Sequence, residues 1–264
     1  MSDEGYETIN MVRRGHGARL ELNRPERLNA WNKQFALDLL AAIRAVTDDP
    51  EVRAVQITGV GRAFSSGADL KEASAPRGEM DVYQRLTERY HPIITGLRLM
   101  PKPVIAAVNG PAAGIGLSLA LACDLIVAAE SAFFQLAFVN IGLVPDGGSS
   151  LLVPSRIGFT RATQLAMLGE RLDARTAKDW GLINEVWPDE EFRDRADALL
   201  DRLASGATKS YAGTKRQLNR WLYSQMDAQL EFEAQIQREM AGSTDFAEGI
   251  AAFNEKRPPK FTGA

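Results

Sequence analysis

The stretch from Val104 to Ser150 constrains the fold of this chain more than any other, because it alternates short apolar runs with turns of small residues. Val104–Val108 is an apolar run of strand length that ends at Asn109-Gly110-Pro111. Such a run predicts a buried strand, and the small residues at 112–116 predict the start of a helix that continues through 117–122. At this junction glycine lets a ligand approach the backbone closely, and the first N–H groups of the helix stay free to bind negative charge.

The same stretch ends on an acidic residue. Residues 124–128 predict a second strand, residues 133–144 are strongly apolar, and Asp146 follows Pro145 directly before Gly147-Gly148. A carboxylate at the end of an apolar stretch is a candidate base, because desolvation raises its pKa towards neutral values. The alternative interpretation of Asp146 is a turn or helix-capping residue ahead of the two glycines.

Through residue 128 the chain predicts the order β-β-α-β-α-β-α-β, which is typical of an α/β domain with crossover helices. The first two strands, at 8–13 and 18–22, flank Gly15-His16-Gly17 and predict a hairpin. Asn32 is the predicted cap of the first helix. The other predicted elements before residue 104 are a strand at 54–58, a polar loop at 72–80 and a helix at 82–99.

Beyond residue 151 the predicted structure is mostly helical. The candidates are helices at 160–168, 174–180, 189–204, 209–221, 225–240 and 246–254, with one short strand at 183–186. In the helix at 225–240, Met226, Leu230, Ala234 and Met240 form a partly apolar stripe. Such a stripe indicates a part of the core or a subunit interface more often than a binding groove.

Composition excludes several classes of protein. With 264 residues, 45% hydrophobic content and a net charge of −3, the chain buries a large core and offers no basis for a nucleic-acid-binding surface. Two histidines rule out a histidine-rich metal site, and a single cysteine rules out an internal disulfide framework. No apolar run reaches the ~20 residues of a membrane span, and the acidic N-terminus is unlike a signal peptide. We therefore expect a cytoplasmic protein without a metal or a membrane segment.

Two short patterns resemble those of the short-chain dehydrogenases. Gly110, Gly114 and Gly116 have the spacing of a dinucleotide-binding loop, and Tyr211 and Lys215 have the spacing of a Tyr-x-x-x-Lys pair. A dinucleotide loop should follow the first strand of its fold, whereas four predicted strands precede it here. Only one convincing strand remains before Tyr211 to complete a doubly wound sheet. The context therefore argues against hydride transfer.

Four segments spread over most of the chain carry a stronger signal. They are residues 22–30 (LNRPERLNA), 62–70 (RAFSSGADL), 102–110 (KPVIAAVNG) and 246–253 (FAEGIAAF). In order and spacing they resemble the successive signatures of the crotonase (enoyl-CoA hydratase/isomerase) superfamily. The resemblance implies an α/β fold with a crotonase-like ββα spiral core over residues 1–200 and a C-terminal helical trimerisation region over residues 201–264. It also implies an acyl-CoA thioester substrate and a homotrimer or a dimer of trimers.

The chemistry that this family shares is the stabilisation of a thioester enolate by two backbone N–H groups. Carried over by motif, the donors are Ala68, after Ser66-Gly67, and Ile115, between Gly114 and Gly116. Ile115 departs from the glycine usual there, which a backbone donor tolerates if the backbone angles suit a side chain. Each donor aimed at the developing charge contributes ~3 kcal/mol to transition-state stabilisation. The alternative is that these small residues only permit close packing.

Hydratases of this family use two glutamates, and this chain lacks both. Ser118 stands at the first matching position and Phe138 at the second. A hydroxyl does not replace a carboxylate as general base near neutral pH, and a phenyl ring has no basic group. Asp146 is similar in position to the single acid of the enoyl-CoA isomerase branches, and the ring-opening epoxyphenylacetyl-CoA isomerases look especially similar.

The resemblance implies a one-base proton shuttle. Asp146 removes a proton from the carbon chain, the dienolate rests in the oxyanion hole, and the same carboxyl returns the proton two carbons away. Leu136, Phe138 and Leu143 supply apolar walls that raise the pKa of Asp146 and exclude water. No cofactor is expected, because coenzyme A is part of the substrate.

Further residues fall in segments that line the coenzyme A site in the family. The expected substrate-binding residues are Arg27, Leu28, Ala30, Ala63, Ser66, Asp69, Leu70, Gly116, Ser118, Phe138, Phe253 and Lys256. Arg27 suits a phosphate, whereas Asp69 equally suits the bracing of a turn and Lys256 a solvated surface position. Three functions remain open: an isomerase, a hydratase or related lyase with atypical catalytic residues, and a non-catalytic binder of CoA thioesters.

Overall fold

The computed structural model describes residues 5–73 and 81–264, and in these residues nine strands and twelve α-helices form an α/β fold, as predicted. The strands are β1 (Ile9–Arg14), β2 (Gly17–Leu22), β3 (Ala54–Gly59), β4 (Val104–Val108), β5 (Ala112–Ala113), β6 (Leu125–Ala129), β7 (Phe133–Gln135), β8 (Arg171–Asp173) and β9 (Glu185–Trp187). The helices are α1 (Lys33–Asp48), α2 (Leu70–Ala73), α3 (Val82–Arg85), α4 (His91–Leu99), α5 (Ile115–Ala122), α6 (Ser149–Leu152), α7 (Pro154–Leu168), α8 (Ala174–Trp180), α9 (Asp189–Ala204), α10 (Thr208–Leu222), α11 (Met226–Met240) and α12 (Thr244–Glu255). The predicted polar loop at 72–80 lies, from residue 74 onward, outside the described residues.

Six of these strands form one sheet in the order β1-β2-β3-β4-β6-β9. The hairpin of β1 and β2 is antiparallel, as predicted, and every other neighbouring pair in this sheet is parallel. A smaller sheet has the order β5-β7-β8. Parallel strands need crossover connections, and helices α1, α4 and α5 occur in those connections.

Strand β4 is buried on both faces of the large sheet. Val104, Ala106 and Val108 belong to the main core, whereas Ile105 and Ala107 belong to a second apolar cluster that includes the buried face of α9. A parallel strand that is covered on both faces has no solvated side, so its sequence is a continuous apolar run without alternation. This arrangement explains why Val104–Val108 was recognisable from sequence with its observed bounds.

The predicted helix at 82–99 is interrupted. Residues Leu86–Tyr90 form a π-helical turn between α3 and α4, and the N–H of His91 donates to the carbonyl of Leu86. Pro92 explains the interruption, because proline has no N–H to donate and its ring collides with the carbonyl four residues earlier. The wider π turn accommodates that position. The predicted bounds of the helix are therefore confirmed, and the π-helical turn within them is an additional feature of the structure.

Helix α11 of the C-terminal region packs on the core. Met226, Leu230 and Ala234 of α11 are buried in the main core, which confirms the core interpretation for most of the predicted stripe.

Lys215, the lysine of the Tyr-x-x-x-Lys pattern shared with dehydrogenases, is buried and donates to the carboxylate of Asp124 and to the carbonyl of Leu97. Helix α9 runs across residue 200, where the predicted division between core and trimerisation region falls. No helix among the described residues is both long and apolar enough to cross a bilayer.

Candidate active site

Two glycine-bearing segments lie side by side beyond the carboxyl ends of β3 and β4. A bridge pairs Ser65 with Ala112, and the N–H of Ala113 donates to the carbonyl of Ser65 at 2.9 Å. Gly67 and Gly114 have positive φ angles of 97° and 53°. A Cβ on Gly67 would lie 2.9 Å from the carbonyl oxygen of Ala113, and a Cβ on Gly114 would lie 3.8 Å from the Cα of Gly67. Glycine therefore permits both the backbone angles and the close approach of the segments.

The residues after these glycines present the backbone amides of Ala68 and Ile115. Trp31 donates its N–H to the carbonyl of Gly67 at 2.8 Å and accepts from the N–H of Asp69 at 3.0 Å. Because successive N–H groups alternate in direction along an extended segment, the amide of Ala68 faces away from Trp31. Ile115 is the first residue of α5, where an N–H has no partner within the helix. In the part of the chain that the structure describes, neither amide has an acceptor.

The departure from glycine at position 115 is accommodated by the helix. Ile115 has no positive φ angle, because it opens α5 directly after Gly114 has made the turn. Its buried side chain packs against the turn that follows Asp146: a Cβ on Gly147 would lie only 2.4 Å from the Cδ1 of Ile115. The side chain of Ile115 therefore connects the second amide with the segment that carries the candidate base.

The carboxyl group of Asp146 is buried. The residue is 6% exposed, and its Oδ2 accepts a hydrogen bond of 2.9 Å from the Nε2 of Gln237. Its Oδ1 is inaccessible and has no hydrogen-bond partner among the described residues. The hydroxyl of Ser118 donates to the backbone carbonyl of Asp146 at 2.8 Å, which ties the acid to α5. Ser149 closes the turn on that same backbone carbonyl, so the Asp146 carboxyl is not the capping group.

The surroundings of Asp146 raise its pKa to about 7. Burial is the largest cause because it penalises the charged form, and the negative charge of Glu233 acts in the same direction. The hydrogen bond from Gln237 and the positive charge of Arg85 on α3 act in the opposite direction. A carboxyl with this pKa is partly ionised at neutral pH, so it is suited both to take up a proton and to return it.

Ser118 and Phe138, which stand where the hydratases have glutamates, are both buried. The Ser118 hydroxyl is engaged with backbone oxygens, those of Asp146 and Gly114. The ring of Phe138 lies 3.9 Å from the position of a Cβ on Gly114, so it forms an apolar wall beside the second amide. Ser118 thus braces the acid-bearing turn and Phe138 restricts the space next to it.

The segment with Arg27, Leu28 and Ala30 is held beside the first amide. The N–H of Ser66 donates to the carbonyl of Leu28 at 2.9 Å. Three residues after Leu28, the backbone of Trp31 is hydrogen-bonded to Gly67 and Asp69, on either side of Ala68. Arg27 and Ser66 are exposed, Leu28 is half-buried and Ala30 is buried. The structure therefore brings these four predicted substrate-binding residues to the side of the two glycine-bearing segments, and their contacts with coenzyme A remain predictions.

The remaining predicted substrate-binding residues are divided between the site and the surface. Ala63 and Gly116 are buried next to the first segment, and Leu70 is half-buried at the start of α2. Asp69 accepts from the guanidinium of Arg24 in an ion pair of 3.3 Å, so it braces the turn. Exposed positions at the end of α12 are occupied by Phe253 and Lys256. No hydrogen bond or ring contact joins these last two residues to the two amides in the described part of the chain.

Two residues at the site, Glu233 and Gln237 on α11, are absent from the sequence-based prediction. Both are buried although polar, with exposures of 3% and 1%. A signal existed, since they are four residues apart and flank Ala234 on the buried stripe. The predicted stripe contains only apolar residues, so it does not identify the two buried polar residues beside it.

Comparison with known proteins identifies the family. The family model described as "Enoyl-CoA hydratase/isomerase" matches residues 16–264. The fold and the two segments thus define a member of the crotonase superfamily, and the predicted resemblance is confirmed. The chain belongs to the enoyl-CoA hydratase/isomerase family.

The individual relatives carry names for both reactions. A "Probable enoyl-CoA hydratase" of Rhodobacter capsulatus is 42% identical over 92% of this chain and 93% of that protein. A "1,2-epoxyphenylacetyl-CoA isomerase" of Escherichia coli K12 is also 42% identical, over 92% of this chain and 94% of that protein. The crystal structure of an enoyl-CoA hydratase from Mycobacterium avium subsp. paratuberculosis has a TM-score of 0.88 and 39% identity, covering 97% of this chain and 98% of that chain. The names of the relatives therefore do not distinguish between the two reactions.

Proposed function

We propose that this protein shifts a carbon–carbon double bond in an enoyl-CoA by proton transfer through a single base. Ionised Asp146 takes a proton from the carbon next to the thioester carbonyl. The electron pair of that C–H bond passes into a dienolate, whose oxygen accepts hydrogen bonds from the amides of Ala68 and Ile115. The protonated Asp146 returns the proton two carbons further along the chain, and the thioester carbonyl re-forms in conjugation with the moved double bond.

The observation that carries this proposal is the connection between a buried acid and a free backbone amide. Asp146 is tied to helix α5, and the amide at the start of that helix has no acceptor among the described residues. Ser118 links the Asp146 backbone to α5, which begins at Ile115. A pKa of about 7 suits a group that acts first as a base and then as an acid. Each amide aimed at the enolate oxygen lowers the barrier by ~3 kcal/mol.

A hydratase is the second candidate, because the Rhodobacter capsulatus relative carries that name. Water addition by the two-glutamate route needs carboxylates where this chain has Ser118 and Phe138. Glu233 provides another buried carboxyl, but its oxygens already accept from the N–H groups of Gly148 and Ser150 and from the Ser150 hydroxyl. These contacts favour the isomerase.

A non-catalytic binder is the third candidate, and the burial of Asp146 argues against it. An acid whose pKa is raised by burial lowers the stability of the folded protein at neutral pH. The thioester group is neutral, so its binding gains nothing from a buried carboxyl. A proton-transfer role gives a reason for its burial.

We further propose a homotrimer or a dimer of trimers that needs no cofactor beyond the coenzyme A of its substrate. Support for subunit contacts comes from large apolar side chains that are exposed on α7, α10 and α11. They are Phe159, Met167, Leu218, Trp221 and Phe232. Light scattering should give the mass of a trimer or a hexamer. A monomeric mass would contradict the assembly while leaving the role of Asp146 unaffected.

The reaction is tested by incubating the purified protein with 2-enoyl-CoA and 3-enoyl-CoA in deuterated water. We expect interconversion of the two isomers and deuterium at the allylic carbon, detected by mass spectrometry and NMR. Formation of 3-hydroxyacyl-CoA would instead identify a hydratase. Binding of both thioesters with neither interconversion nor deuterium exchange would identify a non-catalytic binder. Because each function gives a different outcome, one experiment separates all three.

A further inference from the structure

Helix α11 places two polar side chains in the core, one helical turn apart. Glu233 and Gln237 lie on the buried side that also contains Met226, Leu230 and Ala234. Burial of a carboxylate and an amide costs free energy unless their hydrogen-bonding groups are satisfied. Both side chains direct their bonds to one short segment, residues 144–150, which includes Asp146.

Gln237 holds one oxygen of the Asp146 carboxyl in a defined orientation. Its Oε1 accepts from the N–H of Val144 at 3.1 Å, and its Nε2 donates to the Oδ2 of Asp146 at 2.9 Å. The N–H of Val144 is only a donor, so the oxygen end of the amide must face it and the NH₂ end must face Asp146. This bond leaves Oδ1 as the carboxyl oxygen without a partner among the described residues.

Glu233 holds the turn that follows Asp146. Its Oε2 accepts from the N–H of Gly148 at 2.7 Å, its Oε1 accepts from the N–H of Ser150 at 3.0 Å, and the Ser150 hydroxyl donates to the same oxygen. Burial raises the pKa of Glu233 to about 7, although these three donors act to lower it. Asp146 accepts from a single donor, so hydrogen bonds stabilise the ionised form of Glu233 more than that of Asp146.

We infer that Glu233 and Gln237 are positioning residues for the proton-transfer reaction: Gln237 orients the Asp146 carboxyl, and Glu233 fixes its turn and places a like charge beside it. The inference rests on the proposed function, in which Asp146 is the base. It assigns to α11, which lies within the predicted trimerisation region, a direct influence on the chemistry of its own subunit. The charged groups that act on Asp146 among the described residues are Glu233 of α11 and Arg85 of α3.

The two residues act on Asp146 in opposite directions, which gives a sharp test. Glu233→Gln removes a negative charge, so Asp146 should ionise more easily and the acid limb of kcat/KM should move ~1 pH unit lower. Gln237→Met removes a donor to the ionised carboxyl, so that limb should move to higher pH, with kcat lowered more than KM is changed. General destabilisation of the fold does not produce opposite shifts. Gln235→Met and Glu239→Gln, exposed on the same helix, should leave the profile unchanged.

A second measurement does not depend on activity. The infrared band of the protonated Asp146 carboxyl, assigned as the band that Asp146→Asn removes, is followed against pH in the native protein and in both variants. We expect its midpoint to fall in Glu233→Gln and to rise in Gln237→Met. Unchanged midpoints and unchanged pH profiles would overturn the inference. If instead the midpoints shift while Asp146→Asn is fully active, the positioning is correct and the proposed base is wrong.

Discussion

Asp146→Asn should lower the rate of double-bond isomerisation by about 10²–10⁴-fold, the usual contribution of a general acid–base group. Asparagine has nearly the shape of aspartate and still accepts a hydrogen bond from Gln237, so the site keeps its geometry and loses only the proton carrier. We expect kcat to fall while the affinity for the CoA thioester changes little. Asp194→Asn, which removes an exposed carboxyl on α9, should retain native activity. Full isomerase activity in Asp146→Asn would rule out Asp146 as the base.

The same variant should be at least as stable as the native protein, and the difference should depend on pH. Burial raises the pKa of Asp146 from 3.8 to about 7, so the folded protein binds a proton more tightly than the unfolded chain. The native stability therefore falls as pH rises between these two values. Asp146→Asn removes this penalty, which has an upper bound of about 4 kcal/mol above pH 7. Urea unfolding at pH 5 and pH 8 measures it. If the free energy of unfolding of the variant minus that of the native protein were smaller at pH 8 than at pH 5, the burial argument would be contradicted.

The parts of the fold that were predictable are those whose cause is local. Strand β4 is a continuous apolar run because both of its faces are covered, and α9 ends where its apolar periodicity ends. Asn32 was recognisable as a cap, and its side chain does accept from the N–H of Phe35 at 2.8 Å. Strands β5 and β8 contain only two and three residues, too few for a period to be visible, and they exist through pairing with β7.

The candidate site was predictable only in part, for the same physical reason. Asp146 stands out because an apolar stretch precedes it, which is a local signal. Its partner Gln237 is 91 residues away, and the bond that orients the carboxyl depends on how α11 packs on the core. A pattern within α11 shows that Glu233 and Gln237 share a face with Ala234, but only the tertiary structure shows which acid that face contacts.

Gly114→Ala should lower kcat by about 10²–10³-fold, the usual effect of losing one oxyanion-hole donor. Gly114 has φ 53° and ψ −131°, a combination that residues with a Cβ do not adopt without strain. The direction of the Ile115 N–H is fixed by the ψ angle of the residue before it. At negative φ an alanine favours a ψ of roughly −20 to −70° or +100 to +180°, so relaxation also moves ψ away from −131°. The change in ψ rotates the peptide between residues 114 and 115 and turns that amide away from the enolate oxygen.

A steric clash does not explain the expected loss of activity in Gly114→Ala. The loss would therefore indicate a misdirected amide and not a disrupted site. A Cβ on Gly114 would lie 3.8 Å from the Cα of Gly67 and 3.9 Å from the Cζ of Phe138, both ordinary contacts. The matched control is Gly15→Ala in the β1–β2 hairpin, where φ is 55° and nothing lies within 4 Å of the new Cβ. That variant also places a Cβ at a positive φ angle, and it should keep its activity. Steady-state kinetics together with thioester binding by calorimetry measure both variants. Equal kcat in Gly114→Ala and Gly15→Ala would show that the Ile115 amide does not hold the enolate.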